Sequence, residues 1–139
     1  MATRVRPEVS VKNKYWIPKH RYYELKHYCL QYPYWAKMYS SVSLEVSSRS
    51  FTTADNRTRD ILDETSERAV ELAFYNSKIR SLENIARMTD PYLWKYILLA
   101  VTEGVSYTYL KTKLDIPCCR DVYYELYRKF FWLLSKERD

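Results

Sequence analysis

The sequence predicts an all-α fold: a small helical domain that ends in a helix-turn-helix. The chain of 139 residues has one glycine, Gly104, whereas domains rich in β-structure need many glycines in their turns. Apolar residues recur at steps of three and four over long segments, which is typical of helices with one buried face. Proline, aspartate and serine stand where these segments begin. With 47% hydrophobic residues, the chain has enough apolar surface for a core.

The composition argues against an enzyme and against a secreted protein. One glycine leaves no room for a nucleotide-binding loop, a dinucleotide fingerprint or a nucleophile elbow. The cysteines Cys29, Cys118 and Cys119 form neither a disulfide framework nor a metal-binding spacing. No run is apolar enough for a secretion signal or a membrane span. We therefore expect a cytoplasmic protein, with no catalytic residues, metal, cofactor or membrane contact.

The first 39 residues are predicted to form a basic arm and a helical segment. Residues 1–14 are basic and lack an apolar period, so we expect a disordered arm there. In the segment 15–39, Pro18 suits the first turn of a helix, and Pro33 is expected to end it before a second, short helix. The apolar face of the first helix is predicted from Tyr22, Leu25, Cys29 and Tyr32.

Residues 40–59 are predicted to form a mobile loop. They are rich in Ser, Thr, Asp and Asn, and their apolar residues lack a long period. Because Val42, Leu44 and Val46 alternate with polar residues, a short strand over 42–46 is a second interpretation. No neighbouring segment offers an obvious partner strand, so the loop is the preferred prediction.

Residues 60–139 are predicted to form the main helical domain. Acidic residues crowd the start of a long helix over 60–88, where the helix dipole favours them. Asp90 can cap the next helix, Pro91 can take its first position, and Gly104 can end it in a left-handed conformation. The apolar faces of these two helices are predicted from Leu72, Tyr75, Ile79, Leu82 and Ala86, and from Leu93, Ile97, Ala100 and Val101.

The helix-turn-helix is predicted at residues 106–135. Ser106 caps a short helix over 107–114, Asp115–Pro117 forms a tight turn, and the last helix runs from about Cys118 to Ser135. The core positions are predicted to be Leu110 and Leu114 in the first helix, and Val122, Leu126, Phe130 and Leu133, widened by Tyr123, Tyr127 and Leu134, in the second.

Such a helix pair predicts a DNA-binding surface. The second helix of a helix-turn-helix lies in the major groove, with its N-terminal residues at the base edges. Arg120 can reach guanine edges, and Tyr124 can contact a base edge or a sugar. The backbone N–H groups near Cys118 and Cys119 can receive a phosphate. Further phosphate contacts are predicted for Lys111, Lys113, Arg128 and Lys129.

A purely structural role for this helix pair stays open. Between Lys111 and Lys129 there are five Lys/Arg and three Asp/Glu, a net charge of only +2. Asp121 and Glu125 lie on or beside the predicted DNA face. A helix pair with this spacing often exists only to close a helical core.

The basic excess of the chain lies near its N-terminus. Residues 1–39 hold 8 Lys/Arg and 2 Asp/Glu, a net of +6 that equals the net charge of the whole chain. Lys19, Arg21 and Lys26, interleaved with tyrosines, form a secondary basic patch that could track a phosphate backbone. The alternative is a solvated helix face whose tyrosines pack on a neighbour.

Two stretches of sequence resemble a known family. ELKHYCLQYP followed by YW, and KTKLDIPCCRDVYYELYRKFFWLL, are similar to segments of RinA/ArpU-type phage transcriptional regulators and of phage and prophage proteins of Firmicutes. The resemblance covers about Tyr15 to Lys136. It implies a C-terminal helix-turn-helix like region four of bacterial sigma factors, with Ile116 as the plug of the turn. It also implies Arg120, Tyr123 and Tyr124 as groove contacts.

Two functions are therefore carried forward. The first is a phage-encoded transcriptional regulator that binds double-stranded DNA and contacts bacterial RNA polymerase or another host complex, as a monomer or a homodimer. The second is a phage-encoded inhibitor that binds a host nuclease or defence complex, as anti-CRISPR proteins do. The abundant tyrosines and the weakly basic last helix favour this second function, because tyrosine and arginine often anchor protein interfaces.

Overall fold

The computed structural model describes residues 13–49 and 58–139, and their regular structure is entirely helical. This confirms the predicted all-α fold with a helix-turn-helix at its C-terminal end. Six helices follow one another along the described part of the chain: α1 Lys19–Cys29, α2 Tyr32–Arg49, α3 Thr58–Thr89, α4 Trp94–Glu103, α5 Tyr107–Leu114 and α6 Arg120–Glu137.

Helix α1 forms where the proline and the apolar spacing predicted it. Pro18 is its N-cap, and the Pro18 carbonyl accepts the N–H of Tyr22 at 3.0 Å. Leu25 and Cys29 are fully buried, one turn apart. Helix α1 ends at Cys29, and Pro33 lies in the first turn of α2. Proline is tolerated there, because N–H groups in the first turn of a helix have no intrahelical acceptor.

Helix α2 is longer than predicted, because it extends to Arg49. The predicted loop is therefore wrong over 40–49, and the alternative strand over 42–46 is wrong as well. Trp35 and Val42, two helical turns apart, are both buried and give α2 one apolar face. Burial of this face outweighs the weak helix propensity of the serines. Residues 1–12 and 50–57 lie outside the described part, so the basic arm and the rest of the loop stay predictions.

The boundaries between α3, α4 and α5 follow the predicted capping residues. Helix α3 matches the long helix predicted over 60–88. Asp90 Oδ1 accepts the N–H groups of Tyr92 and Leu93, both at 2.8 Å, and the regular part of α4 begins directly afterwards. Gly104 ends α4 with φ 69°, and Ser106 Oγ accepts an N–H from the first turn of α5 at 3.2 Å. The predictions for Gly104 and Ser106 are confirmed, whereas α4 begins at Trp94 with Leu93 as its N-cap, so Asp90 caps the turn before the helix and Pro91 does not take the first helical position.

The chain divides into two compact units. One contains α1, the end of α3, and α4 to α6, within Met1–Gln31 and Ser81–Asp139; the other is Tyr32–Arg80. In the first unit α1 packs against α6 and α4, and α4 also packs against α5 and α6. In the second unit Arg68 of α3 makes ion pairs with Glu45 of α2 at 3.2 Å and with Glu71 at 3.1 Å. The largest fully buried side chains are Phe130, Phe131, Leu25, Leu82, Ile97, Leu110, Ile116 and Leu134.

The buried face of α6 differs from the predicted one. Tyr123 and Tyr127 point into the core, whereas Val122 is 43% exposed and Leu126 only half-buried. A buried tyrosine contributes a large ring, and its hydroxyl needs a partner. Tyr127 Oη has that partner, because it lies 2.7 Å from Tyr22 Oη of α1. The buried face of α6 is therefore rotated toward the tyrosines, and the predicted core positions Leu126 and Leu133 are only half-buried. Val122 on α6 and Leu114 on α5, which were also predicted in the core, are exposed.

Candidate nucleic-acid interface

Residues 115–119 connect α5 to α6 in a turn that several hydrogen bonds fix. Asp115 adopts the left-handed conformation with φ 51°, and the N–H of Ile116 donates to the Leu110 carbonyl at 3.1 Å. This arrangement closes the C-terminus of α5 in the usual manner. The Ile116 side chain is fully buried, as expected of a turn plug. Tyr107 Oη donates to the Cys118 carbonyl at 2.7 Å and so fixes the second half of the turn.

Arg120 is the first residue of α6, and two tyrosines orient its side chain. Its guanidinium lies over the Tyr107 ring, 5.2 Å from the ring centroid, and Nη1 donates to Tyr124 Oη at 3.3 Å. The residue is exposed, while Tyr124 is half-buried. The guanidinium is therefore presented to solvent at the start of the helix in a partly fixed orientation.

The predicted phosphate site at the start of α6 is shifted. The Cys118 N–H donates to the Ile116 carbonyl at 2.9 Å, so it is not available to a phosphate, and that prediction is wrong. The helix begins two residues later than predicted, with Cys119 as an N-cap that makes no side-chain cap hydrogen bond. The first N–H groups of any helix lack intrahelical acceptors, so in α6 these groups are the N–H groups of residues 120–122.

Tyr123 is wrongly predicted as a groove contact. The side chain is only 2% exposed, and its ring packs 5.3 Å from that of Tyr107 and 6.1 Å from that of Tyr127. Burial, followed by the neighbouring phenol groups of Tyr124 and Tyr22, raises the pKa of the Tyr123 hydroxyl. Tyr123 therefore supports the core beneath the candidate interface.

The predicted cations lie at both ends of the candidate interface. Lys113 is exposed near the end of α5. Lys111 Nζ lies 3.7 Å from Asp115 Oδ1 and 3.4 Å from the Ile116 carbonyl oxygen, so it already contacts the turn. Arg128 and Lys129 are half-buried on α6. Arg120, Lys111 and Lys113 thus lie around the turn, and the other two cations follow two turns further along α6.

The outward face of α6 changes sign along the helix. Asp121 and Glu125 are exposed in its first half, where the positive end of the helix dipole favours carboxylates. Cations follow on the same side, at Arg128, Lys129 and Lys136. The acidic first half limits the attraction of Arg120 for a polyanion, whereas the second half adds to it.

Arg21 does not belong to a free basic patch. Its Nε donates to Ser135 Oγ at 3.1 Å, and Nη2 donates to the Ser135 carbonyl at 3.0 Å. The same guanidinium pairs with Glu24 at 2.7 Å and with Asp139 at 3.0 Å. Arg21 therefore fixes α1 to the end of α6, and the predicted patch is wrong for this residue. Lys19 is exposed and Lys26 half-buried on α1.

The sequence prediction missed a group of cations and aromatic rings at the far end of α6. We call it the Trp132 cluster; it consists of Lys14, Tyr15, Trp132 and Lys136. Lys136 Nζ lies 3.6 Å from the centroid of the Trp132 ring. The centroids of the Tyr15 and Trp132 rings are 5.3 Å apart, in an edge-to-face arrangement. Lys14 Nζ lies 4.8 Å from the Tyr15 centroid. The spacing of Trp132 and Lys136 was a visible signal, but the contact with Tyr15 joins distant parts of the chain.

Burial affects the acidity of two of the thiols, Cys118 and Cys29. Burial, followed by the neighbouring Cys119, raises the pKa of the Cys118 thiol, although Lys111 lowers it. Burial also raises the pKa of Cys29. Within residues 13–49 and 58–139, no group of three His, Cys, Asp or Glu side chains could hold a metal ion. Among the helices of the same residues, none is long and apolar enough to cross a membrane.

No family model, no curated protein and no solved structure matches this chain. The resemblance to RinA/ArpU-type regulators therefore remains a prediction that rests on the quoted motifs. The candidate interface is defined by its own geometry, with Arg120 at its centre.

Proposed function

We propose that the protein is a DNA-binding transcriptional regulator that places the start of α6 in the major groove. The observation that carries the proposal is the orientation of Arg120 by Tyr107 and Tyr124. An arginine at the start of the second helix of a helix-turn-helix is well placed for the O6 and N7 acceptors of guanine. Because its side chain is already partly ordered, less conformational entropy is lost on binding.

Phosphate contacts would come from the turn that precedes α6. Lys113 is exposed, and Lys111 pairs with Asp115 at 3.7 Å on the surface. Exposed ion pairs of this kind contribute little free energy, so Lys111 can exchange its carboxylate for a phosphate at small cost. The N-terminus of α6, which has no side-chain cap, offers its N–H groups to the phosphates of the DNA backbone.

The two carboxylates near Arg120 are compatible with a sequence-specific protein. Asp121 and Glu125 lower the general affinity for DNA, because they repel phosphates. In the major groove a carboxylate can accept a hydrogen bond from N4 of cytosine. We therefore expect modest non-specific binding and a preference for G·C pairs, read at guanine by Arg120 and at cytosine by a carboxylate.

The regulator would work in a phage or prophage setting. This part of the proposal rests on the resemblance to RinA/ArpU-type regulators, which also implies a contact with bacterial RNA polymerase. The unit Tyr32–Arg80 exposes Leu44 and Val70, with 72% and 67% of their surfaces accessible. Exposed apolar side chains of this kind are a surface suited to a protein partner.

Selection of bound sequences from a random duplex library tests this function. The purified protein is incubated with the library at about 50 and about 150 mM salt, a range over which phosphate contacts are readily visible, and bound duplexes are sequenced. We expect an enriched motif at both salts. Lys37→Ala, which removes an exposed lysine of α2, is the control and should select the same motif. Absence of enrichment at both salts would contradict the proposal.

Inhibition of a host nuclease or defence complex is the second candidate function. The observation that favours it is the exposed apolar surface of α2 and α3, where Tyr34 and Phe74 are more than half accessible. An inhibitor of this kind would bind no free duplex at either salt. Capture of a host complex by the wild-type protein, lost in Phe74→Ser and retained in Arg120→Ala, would favour this function over the regulator.

A further inference from the structure

The Trp132 cluster alternates cations and aromatic rings on the surface of the first unit. Lys136 lies over Trp132, Trp132 contacts Tyr15 edge to face, and Lys14 lies over Tyr15. Both lysines are exposed, and both rings are half-buried. Each ring therefore keeps part of its surface accessible next to an ammonium group.

An ordered turn fixes the N-terminal half of the Trp132 cluster. Asn13 Oδ1 accepts the N–H of Tyr15 at 2.9 Å, and the Asn13 carbonyl accepts the N–H of Trp16 at 3.0 Å. Ile17, directly after this turn, is buried. The position of Lys14 and Tyr15 against α6 is therefore set before any ligand arrives.

Four cations converge on this part of the surface. Arg128 and Lys129 lie one turn before Trp132 on α6, so they share its side of the helix with Lys136. Lys14 comes from the N-terminal segment. Among the residues that the structure describes, none of these four cations has an ion-pair partner. Glu24 and Asp139 are paired with Arg21, whereas the exposed Glu125 lies one turn before Lys129 on the same side of α6 and lowers the local positive charge.

We infer that the Trp132 cluster, together with Arg128 and Lys129, binds the phosphodiester backbone of double-stranded DNA. Cations without carboxylate partners gain by contacting phosphates, because each contact releases a condensed counterion. The accessible edges of Trp132 and Tyr15 suit the apolar faces of the sugars between the phosphates. The condensed counterions of duplex DNA make these contacts more favourable than contacts with an acidic protein surface.

The Trp132 cluster lies at the opposite end of α6 from Arg120. Arg120 and Lys136 are 16 residues apart on one helix, which corresponds to about 24 Å along its axis. Sixteen residues are about 4.4 helical turns, so the two side chains leave α6 in directions about 160° apart, and the cluster would contact backbone that flanks the groove rather than the bases. The inference rests on the proposed function, because it makes the cluster the flanking phosphate contact of the same DNA complex.

The salt dependence of duplex binding tests the inference. Fluorescence anisotropy with a labelled duplex, over about 50 to 200 mM salt, gives the slope of log Kd against log salt concentration. The double variant Lys14→Ala/Lys136→Ala should lower the magnitude of this slope by about 1.8, because each phosphate that a lysine neutralises contributes about 0.9. The control, Lys37→Ala/Arg80→Ala, removes the same charge from exposed positions elsewhere, and its slope should stay at the wild-type value.

The outcomes separate this inference from the proposed function. A wild-type slope in the cluster variant, with the selected motif intact, overturns the inference and leaves the regulator standing. A reduced slope without any selected motif supports phosphate binding by the Trp132 cluster but contradicts the proposal of a sequence-specific regulator. Absence of duplex binding by the wild-type protein overturns both. If the alanine variant unfolds at the assay temperature, Lys14→Gln/Lys136→Gln keeps much of each side-chain stem and should reduce the slope by the same amount.

Discussion

The guanidinium of Arg21 in α1 donates to both oxygens of Ser135 in α6, the hydroxyl at 3.1 Å and the carbonyl at 3.0 Å. The carbonyl belongs to the last turn of α6, where main-chain oxygens lack intrahelical donors. One charged side chain therefore satisfies the end of α6 and joins it to α1. This contact also positions the helix that carries Arg120 at its other end.

Arg21→Ala is expected to destabilise the protein. Hydrogen bonds to a charged group contribute about 1.5–3 kcal/mol when their partner would be left unsatisfied, and the Ser135 carbonyl and hydroxyl both lose a donor. We expect the free energy of unfolding to fall by about 2 kcal/mol, measured by urea denaturation. Lys19→Ala, an exposed neighbour on α1, should change it by less than about 0.5 kcal/mol. An equal loss of unfolding free energy in the two variants would contradict the structural role of Arg21.

The buried hydroxyl pair of Tyr22 and Tyr127, 2.7 Å apart, predicts a coupling between α1 and α6. Tyr22→Phe deprives the Tyr127 hydroxyl of this partner and should cost about 1–2 kcal/mol of unfolding free energy. The double variant Tyr22→Phe/Tyr127→Phe should cost clearly less than the sum of the two single variants. A double-mutant cycle measures the difference; strictly additive effects would show that the hydrogen bond does not couple the helices.

Alkaline pH is expected to destabilise the first unit. Burial raises the pKa of the Tyr127 hydroxyl and of the Cys29 thiol above their ordinary values of 10.0 and 9.0. Both groups therefore hold their protons more tightly in the folded state than in the unfolded state. Their contribution to stability is complete below about pH 9 and is lost as the pH rises through the ordinary values.

Urea denaturation at about pH 8 and about pH 10.5 measures this loss. The free energy of unfolding should be lower at the higher pH, and Tyr127→Phe should show a smaller difference between the two, because that variant lacks one of the groups. Equal stability of the wild-type protein at both values would contradict the assignment of buried, protonated groups to this core.

Gly104 is expected to be required for its backbone conformation. Its φ is 69°, and a Cβ at this position would lie 3.7 Å from Leu30 Cδ2, an ordinary contact distance. The cost of Gly104→Ala should therefore come from the left-handed backbone, at about 1 kcal/mol. Gly104→Asn should cost less, since asparagine tolerates this conformation better. Thermal unfolding of both variants checks the order, and a larger cost for asparagine would point to a steric cause.

Local signals in the sequence predicted the C-terminus of α4 and the N-terminus of α5 correctly. Asp90, Gly104 and Ser106 act on residues within four positions of themselves, so their roles follow from spacing alone. The all-α fold and the helix-turn-helix follow from such signals and from apolar periodicity. The long α2 was missed because a serine-rich composition concealed a stripe formed by Trp35 and Val42.

Contacts between distant parts of the chain account for the other differences. Tyr127 faces the core because of a hydroxyl partner 105 positions away, and Arg21 has its partner 114 positions away. Periodicity cannot rank a tyrosine above Val122 unless that partner is known. The groove role of Tyr123 comes from the family resemblance, whereas periodicity already places it beside the core. The contact between Tyr15 and Trp132 was missed because it joins distant parts of the chain.

Base recognition by Arg120 is the central claim, and the Arg120→Ala variant tests it most directly. The motif selected by this variant from the random duplex library is compared with that of the wild-type protein at physiological salt. We predict the same motif with the preference for one guanine relaxed, and binding to the best wild-type site weakened by about 1–3 kcal/mol. An unchanged motif and affinity, with folding intact, would contradict the claim.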